Sequence, residues 1–381
     1  MNLFFDPAID RTHTHSMKWE KYEGTGILPM WVADMDFKAP PAVLAALTKV
    51  IDHGVLGYTL VSRDLNRIVA DRLTALYCWA VEPDWLVWIP GVVPGLNVVC
   101  RAFGKQDQPL VTTTPIYPPF LSVSDHCGKP LITLPMIRKS GRSTLDFDAL
   151  ERVFQTGPAV FLFCSPYNPC GTLFTREELE HLTTLCETYD ILLCSDEIHS
   201  DFVLDPENRH IPTASLSEAA AQRTVTLMAP SKTYNIPGLG CAFAVIPNAD
   251  LRTRFKAACK GIVPSVNMMG LAAAKAAYDV CDGWLSQLVS YLAENRNTVV
   301  KQINELPGCR LDPITATYLA WIDVRETGLT DPVRFFEEHG VGLSDGSFFG
   351  SPGFVRLNFG CPATVLEKGL DRMAQALKRG A

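Results

Sequence analysis

The 381-residue chain has no long apolar run, no paired cysteines and little excess charge, and each absence narrows what it can be. No apolar stretch reaches the ~18 residues needed to cross a bilayer. The N-terminus, Met1-Asn-Leu-Phe-Phe-Asp6, lacks a basic region followed by an apolar core, so no signal peptide and a cytoplasmic location are expected. A net charge of −7, with 34 basic residues spread along the chain, gives no footing for nucleic acid or an anionic membrane. The 12 cysteines are scattered singly without a C-x-x-C pair. That argues against a disulfide framework or a zinc site and for free thiols in a reducing compartment. His13 and His15 flank one residue but have no third ligand nearby, so no metal is expected. Internal repeats, low-complexity tracts and a flexible linker are missing too.

What is there reads as an ordinary globular protein, 47% hydrophobic and 20% charged. The first 38 residues are irregular and aromatic, and Met30, Trp31, Met35 and Phe37 need a surface to cover. Helical spacing then appears over Pro41–His53 and Arg63–Tyr77. From Leu86 to Ile246 short apolar runs alternate with helical patterns. The strands expected are 86–89, 110–113, 130–135, 159–164, 191–194, 224–228 and 240–246, with helices at 95–103, 146–154 and 176–189. Thr175 and Glu178 have capping-box spacing. Such βα alternation with two-sided apolar strands predicts an α/β fold, a mostly parallel sheet of seven strands covered by helices on both faces. Past Asp282 a long helix (284–306) opens a smaller α/β domain. The division expected is an N-terminal segment 1–38, a large domain 39–281 and a small domain 282–381.

The strand ends carry the chemistry. The strand at 224–228 runs into Ala229-Pro-Ser-Lys232, in a Pro- and Gly-rich loop, and a lysine so placed can lose its proton and form a Schiff base. Taken alone the signal is weak, since most lysines are solvated surface charges. Cys164 leads into Ser165-Pro-Tyr-Asn168, and Cys194 into Ser195-Asp196; a lone Asp196 would read as a strand-end cap. Gly91-Val-Val-Pro-Gly95 opens a helix whose free N–H groups suit an anion. Ligands of parallel sheets sit at the carboxyl ends of strands. An amine, a buried carboxylate, an amide and a phosphate cradle on that edge together describe a pyridoxal 5′-phosphate site.

These residues resemble a known family. Asn168-Pro-x-Gly171, Asp196-Glu-Ile-His199 and Ser231-Lys232 are similar to the class I/II aminotransferase superfamily, pyridoxal-phosphate enzymes of fold type I. The resemblance narrows to the MalY/PatB group of cystathionine β-lyases, or C–S lyases. It rests on Asp10-Arg11, Trp31-Val-Ala-Asp-Met-Asp-Phe37, His53-Gly-x-x-Gly-Tyr58, Ser195-Asp-Glu-Ile-His199, Ser231-Lys-Thr-Tyr-Asn-Ile236 and Val355-Arg-Leu-Asn-Phe-Gly-Cys-Pro362. It implies that Lys232 holds the cofactor and removes the Cα proton, that Asp196 faces the ring nitrogen and Asn168 the ring hydroxyl, and that Tyr117 stacks on the ring. The backbone of Val93, Pro94 and Gly95, with the Ser231 hydroxyl, would hold the phosphate. Tyr58 would reach the phosphate of a neighbouring subunit, which implies a homodimer. Arg356 would pair with the substrate carboxylate, with Asn168, Ala33 and Asp34 beside the substrate.

Two departures from the wider superfamily matter. Pro237-Gly-Leu-Gly-Cys241 lacks the phosphate-binding arginine common after the lysine, and His199 replaces the usual tyrosine three residues past the aspartate. His199 could take part in cofactor binding or simply pack in the core. The reaction implied is α,β-elimination of L-cystathionine or a cysteine S-conjugate to thiol, pyruvate and ammonia. An aminotransferase using the same residues is the alternative, and a pyridoxal-phosphate-binding regulator a more distant one.

Overall fold

The structure, a computed structural model, describes residues 4–380. Its centre is a seven-stranded sheet of β1 (Leu86–Ile89), β2 (Leu110–Thr114), β3 (Leu131–Pro135), β4 (Val160–Cys164), β5 (Leu192–Asp196), β6 (Thr224–Met228) and β7 (Ala242–Val245). The order is β1-β7-β6-β5-β4-β2-β3, and only β7 runs antiparallel to its neighbours. The two-sided apolar strands explain the parallel core, since all five residues of β4 and of β6 are buried.

Helices α1 (Pro41–His53), α2 (Arg63–Tyr77) and α3 (Val92–Ala102) form as the spacing predicts, but α3 starts three residues earlier than expected. The cause is at Gly95, where a Cβ would lie 2.7 Å from Ile89 Cδ1 and 3.0 Å from Leu227 Cδ2. Its missing side chain lets a whole turn of helix lie on β1 and β6. The capping box is complete, with Thr175 Oγ1 accepting from Glu178 N at 3.2 Å and Glu178 Oε2 accepting from Thr175 N at 2.9 Å. Helix α4 (Met268–Val280) packs against α1 and α2, although the sequence reading leaves it unassigned. Its buried face is Gly270, Leu271, Ala273, Ala274, Ala277 and Tyr278, too alanine-rich to stand out as a stripe.

Helix α5 (Asp282–Asn304) leads into an antiparallel sheet of β8 (Arg310–Leu311), β9 (Leu319–Asp323), β10 (Ser344–Asp345) and β11 (Phe354–Asn358), ordered β8-β9-β11-β10, and α6 (Ala363–Gly380) closes the chain. The N-terminal segment ties itself to these strands. Leu28 and Pro29 pair in parallel with Val341 and Gly342, and Asp36 N donates to Gly360 O at 2.9 Å. Met30, Met35 and Phe37 are buried as their composition demands. Lys18 is buried too, on Asp36 at 2.7 Å, while Arg11 bridges Asp34 (2.8 Å) and Asp36 (2.7 Å).

Candidate active site

Because β4, β5 and β6 run parallel, the residues at their carboxyl ends converge on one cavity of about 600 Å³. Asn168, Asp196 and Lys232 all line it, as do Tyr117, His199, Ser231, Arg356 and Ala33. Asp196 is the last residue of β5, at the end of a buried strand as expected. One local detail differs from the sequence reading, since Lys232 sits not in an open loop but in one helical turn, Pro230–Thr233, with proline at its first position. Proline suits that place because its missing N–H has no helical acceptor there anyway.

The phosphate end also needs a correction. Pro94 has no N–H, and the Gly95 N–H is taken by Gly91 O at 3.2 Å, so Gly95 packs on the sheet and donates nothing to the cavity. Val92 and Val93, the first residues of α3, line the cavity and carry amides without an intrahelical acceptor. An anion at that helix start would be met by these two groups and by Ser231 beside them.

Burial governs the charges. It pushes the Asp196 carboxyl up to about 7, with Glu197 adding to the rise, against the Ile198 N–H bond (3.1 Å) and Lys232, which lower it. Burial brings Lys232 down to about 8, helped by Arg356 and opposed by Asp34 and Asp196. Its Nζ donates to Ala33 O at 2.5 Å, a carbonyl that also accepts from Tyr318 OH at 2.9 Å. His199 lies with its ring centroid 5.8 Å from that of Tyr318, its Nδ1 buried without a partner. Burial, then Lys232 and Arg356, push it down to about 3, so it is neutral at any physiological pH. Tyr117 is half-buried, and burial raises its phenol.

Arg356 lacks an anion. It is buried, with Nη1 on Asn168 Oδ1 at 3.0 Å and Nη2 on Trp31 O at 2.9 Å, while Nε has no partner. No carboxylate pairs with it among the described residues. Burial lowers it to about 10, so it stays charged, a guanidinium fork aimed into a cavity and lacking an anion.

Asp34 and Tyr58 fall outside the cavity of this chain. Asp34 accepts from Arg11 through Oδ2, and its neighbours Trp31, Val32 and Ala33 line the cavity. Tyr58 is exposed, within an exposed apolar run of Val55, Leu56 and Leu60. The sequence reading also missed the residues that hold the roof. Asn235 pairs with segment 31–37 as a strand would, accepting from Met35 N (2.9 Å) and donating to Met35 O and Phe37 O (both 2.8 Å). From the other side Asn358 donates to Val32 O and Asp34 O. Both asparagines lie inside motifs already singled out, and the positive φ of Asn235 (53°) suits its residue type.

Comparisons with known proteins give the family and the fold. The family described as aminotransferase class I and II matches residues 28–373. Cystathionine β-lyase PatB of Bacillus subtilis is 36% identical, over 98% of this chain and 99% of its own. The chain belongs to the class I and II aminotransferase family, in its MalY/PatB-type branch. Among solved structures, OvoB superposes on this MalY/PatB-type chain with a TM-score of 0.97 at 44% identity, with 100% of both chains covered. Cystalysin from Treponema denticola, which contains pyridoxal 5′-phosphate, gives 0.95 at 31% identity, again over 100% of both chains.

Pyridoxal 5′-phosphate is the cofactor of this branch member. The residues present fit it on four counts. A half-buried amine, Lys232, lines the cavity and suits the aldehyde, and a buried carboxylate without a cationic hydrogen-bond partner, Asp196, suits a ring nitrogen. The α3 amides suit the phosphate, and the half-buried ring of Tyr117 suits the face of the pyridine.

Proposed function

We propose that this protein is a pyridoxal-phosphate-dependent carbon–sulfur β-lyase. It converts L-cystathionine or related cysteine S-conjugates to a thiol, pyruvate and ammonia. The observation that carries the reading is Arg356, a guanidinium without a carboxylate partner among the described residues, in the same cavity as a lysine of lowered basicity. When bound, the cofactor supplies an electron sink for the bond to the Cα proton. The chain's own residues do the rest. Arg356 grips the α-carboxylate through its planar fork, with Asn168 beside it fixing the guanidinium plane. Lys232 takes the Cα proton, and a value of about 8 leaves a useful fraction of the amine neutral near pH 7.5. The same ammonium then stands next to the departing sulfur. A thiol with a pKa near ~8.5 leaves without a stronger acid, so no second acid is required. Asp196 keeps a proton on the ring nitrogen, and neutral His199 adds a polar group to that end of the cavity without adding charge. Ala33 contributes its carbonyl, and Asp34 acts through Arg11 to hold the roof in place.

The working unit is a homodimer. The exposed apolar residues Leu44, Ile51, Val55, Leu56, Tyr58 and Leu60 favour cover by a second copy, with Tyr58 reaching the phosphate end of the partner's cavity. Segment 1–38 works with the small domain 282–381 against the large domain 39–281, as its pairing with residues 341 and 342 favours. The 12 free cysteines favour a cytoplasmic setting, and among the described residues no helix is long and apolar enough to cross a membrane.

The test is incubation of the cofactor-loaded protein with L-cystathionine and no oxo-acid, measuring pyruvate and free thiol together. Equimolar release that disappears in Lys232→Ala is expected. Turnover that begins only when an oxo-acid is added would make the protein a transaminase and overturn the reading.

A further inference from the structure

The loop that follows Asp196 and brings His199 into the cavity carries another acid to the opposite side. The Asp201 carboxylate accepts from Thr233 Oγ1 at 2.8 Å, from Arg72 Nη2 at 3.1 Å and from Tyr77 OH at 3.4 Å. Thr233 is fully buried and directly follows Lys232 in the same helical turn. Arg72, buried in α2, also bonds Asp282, the first residue of α5, and its guanidinium lies 5.5 Å from the Tyr278 ring centroid.

This arrangement is hard to explain as a device for stability. A buried ion pair loses about as much in desolvation as it gains by attraction, and apolar residues of similar volume would hold the core as well. What it does supply is a fixed direction. The turn Pro230–Thr233 is only 4 residues long, and its N-cap, Ala229, makes no side-chain capping bond. One helical turn does not hold its own shape. It is pinned on one side by Asn235, through residues 35 and 37, and on the other by Thr233. Behind it Met228, Ala229, Asp201, Arg72 and Tyr278 surround a void of about 10 Å³, so the turn has little room to rotate.

We infer that Asp201, backed by Arg72 and bonded to Thr233, is a positioning residue that sets the angle at which Lys232 enters the cavity. Because Asp201 lies in the loop that directly follows Asp196 at the end of β5, the bond also fixes the lysine relative to the carboxylate proposed to face the ring nitrogen. The inference rests on the reading of Lys232 as the lysine that holds the cofactor and moves the Cα proton.

The experiment compares cofactor-loaded wild type with Thr233→Val, which keeps the shape and removes the hydroxyl, and Thr233→Ser, which restores it. Two quantities are read: the pH midpoint of the visible absorption band of the lysine-bound cofactor, and kcat and KM for L-cystathionine. Thr233→Val is expected to move the midpoint by more than ~0.3 pH units. It is also expected to lower kcat by roughly 10- to 100-fold with less than ~3-fold change in KM, since a misplacement of about 1 Å has effects of that order. Thr233→Ser should recover both. An unchanged midpoint and kcat in Thr233→Val, or a loss that Thr233→Ser does not recover, would overturn the inference. If Thr233→Val does not fold, Asp201→Asn carries the same expectation, and an unmoved midpoint in that variant overturns it. The band needs only the cofactor. A wild type that makes no pyruvate would therefore sink the lyase reading while the midpoint still decides the positioning role.

Discussion

Replacing Asp196 with asparagine should stabilise the cofactor-free protein, and by an amount that depends on pH in a defined way. Burial lifts this carboxyl from its ordinary 3.8 to about 7, so ionising it inside the fold costs free energy that ionising it in the unfolded chain does not. The folded form therefore holds a proton between pH 3.8 and about 7 that the unfolded form releases, and stability declines as pH rises through that window. Above it both forms are ionised and the cost is constant. At ~1.4 kcal/mol per pH unit the full cost is about 4 kcal/mol. With unfolding entropies of ~2.1 cal/mol/K per residue, this corresponds to a rise of roughly 5 °C in melting temperature at pH 8 for Asp196→Asn, shrinking to almost nothing at pH 4. Lys232 stays mostly protonated below about 8 and already moderates the shift. The assay is a series of thermal scans of cofactor-stripped wild type and variant from pH 4 to 8. A difference that does not change with pH, or a variant less stable than wild type at pH 8, would refute the reasoning. If Asp196 faces the ring nitrogen as proposed, the sign reverses with pyridoxal phosphate bound, because a protonated ring nitrogen would partner the carboxylate, and the same variant should retain the cofactor less tightly.

Three further outcomes are expected. Arg356→Lys keeps the charge but loses the fork, and kcat/KM for an amino-acid substrate should fall about 100-fold, chiefly through KM, because a charged hydrogen-bond pair contributes ~1.5–3 kcal/mol; steady-state kinetics with KM unchanged would remove the carboxylate role from this residue. Asn235→Ala deletes the bonds to Met35 and Phe37, at about 1 kcal/mol each, and should lower the melting temperature by roughly 4 °C. An unaltered melting curve would show that segment 31–37 is held without it. Leu56→Asp places a charge in the exposed apolar run and should shift sedimentation from dimer to monomer with loss of cofactor; a wild type that sediments as a monomer would end the shared-site proposal.

The architecture was legible because its signals are local. The apolar β4 and the β-branched and apolar β6 announce two-sided strands, and the Thr175/Glu178 spacing announces a helix start. Polar residues following parallel strands must meet at one sheet edge, which is why Lys232, Asp196 and Asn168 could be assigned to one site before any coordinates. Helix α4 escaped because alanines and a glycine make a packing face that resembles no stripe.

What the tertiary structure alone decided is how distant pieces are held together. Gly95 looks like a phosphate-loop glycine in sequence and proves to be a contact point for β1 and β6. The roof over the cavity, residues 31–37, is held by asparagine side chains 200 and 324 positions away, and an amide that bonds to a remote backbone leaves no periodic trace. The shifted charges of Asp196, Lys232 and Arg356 are likewise absent from their residue names. Burial is the first cause of each, and burial is set by what the rest of the chain packs around them.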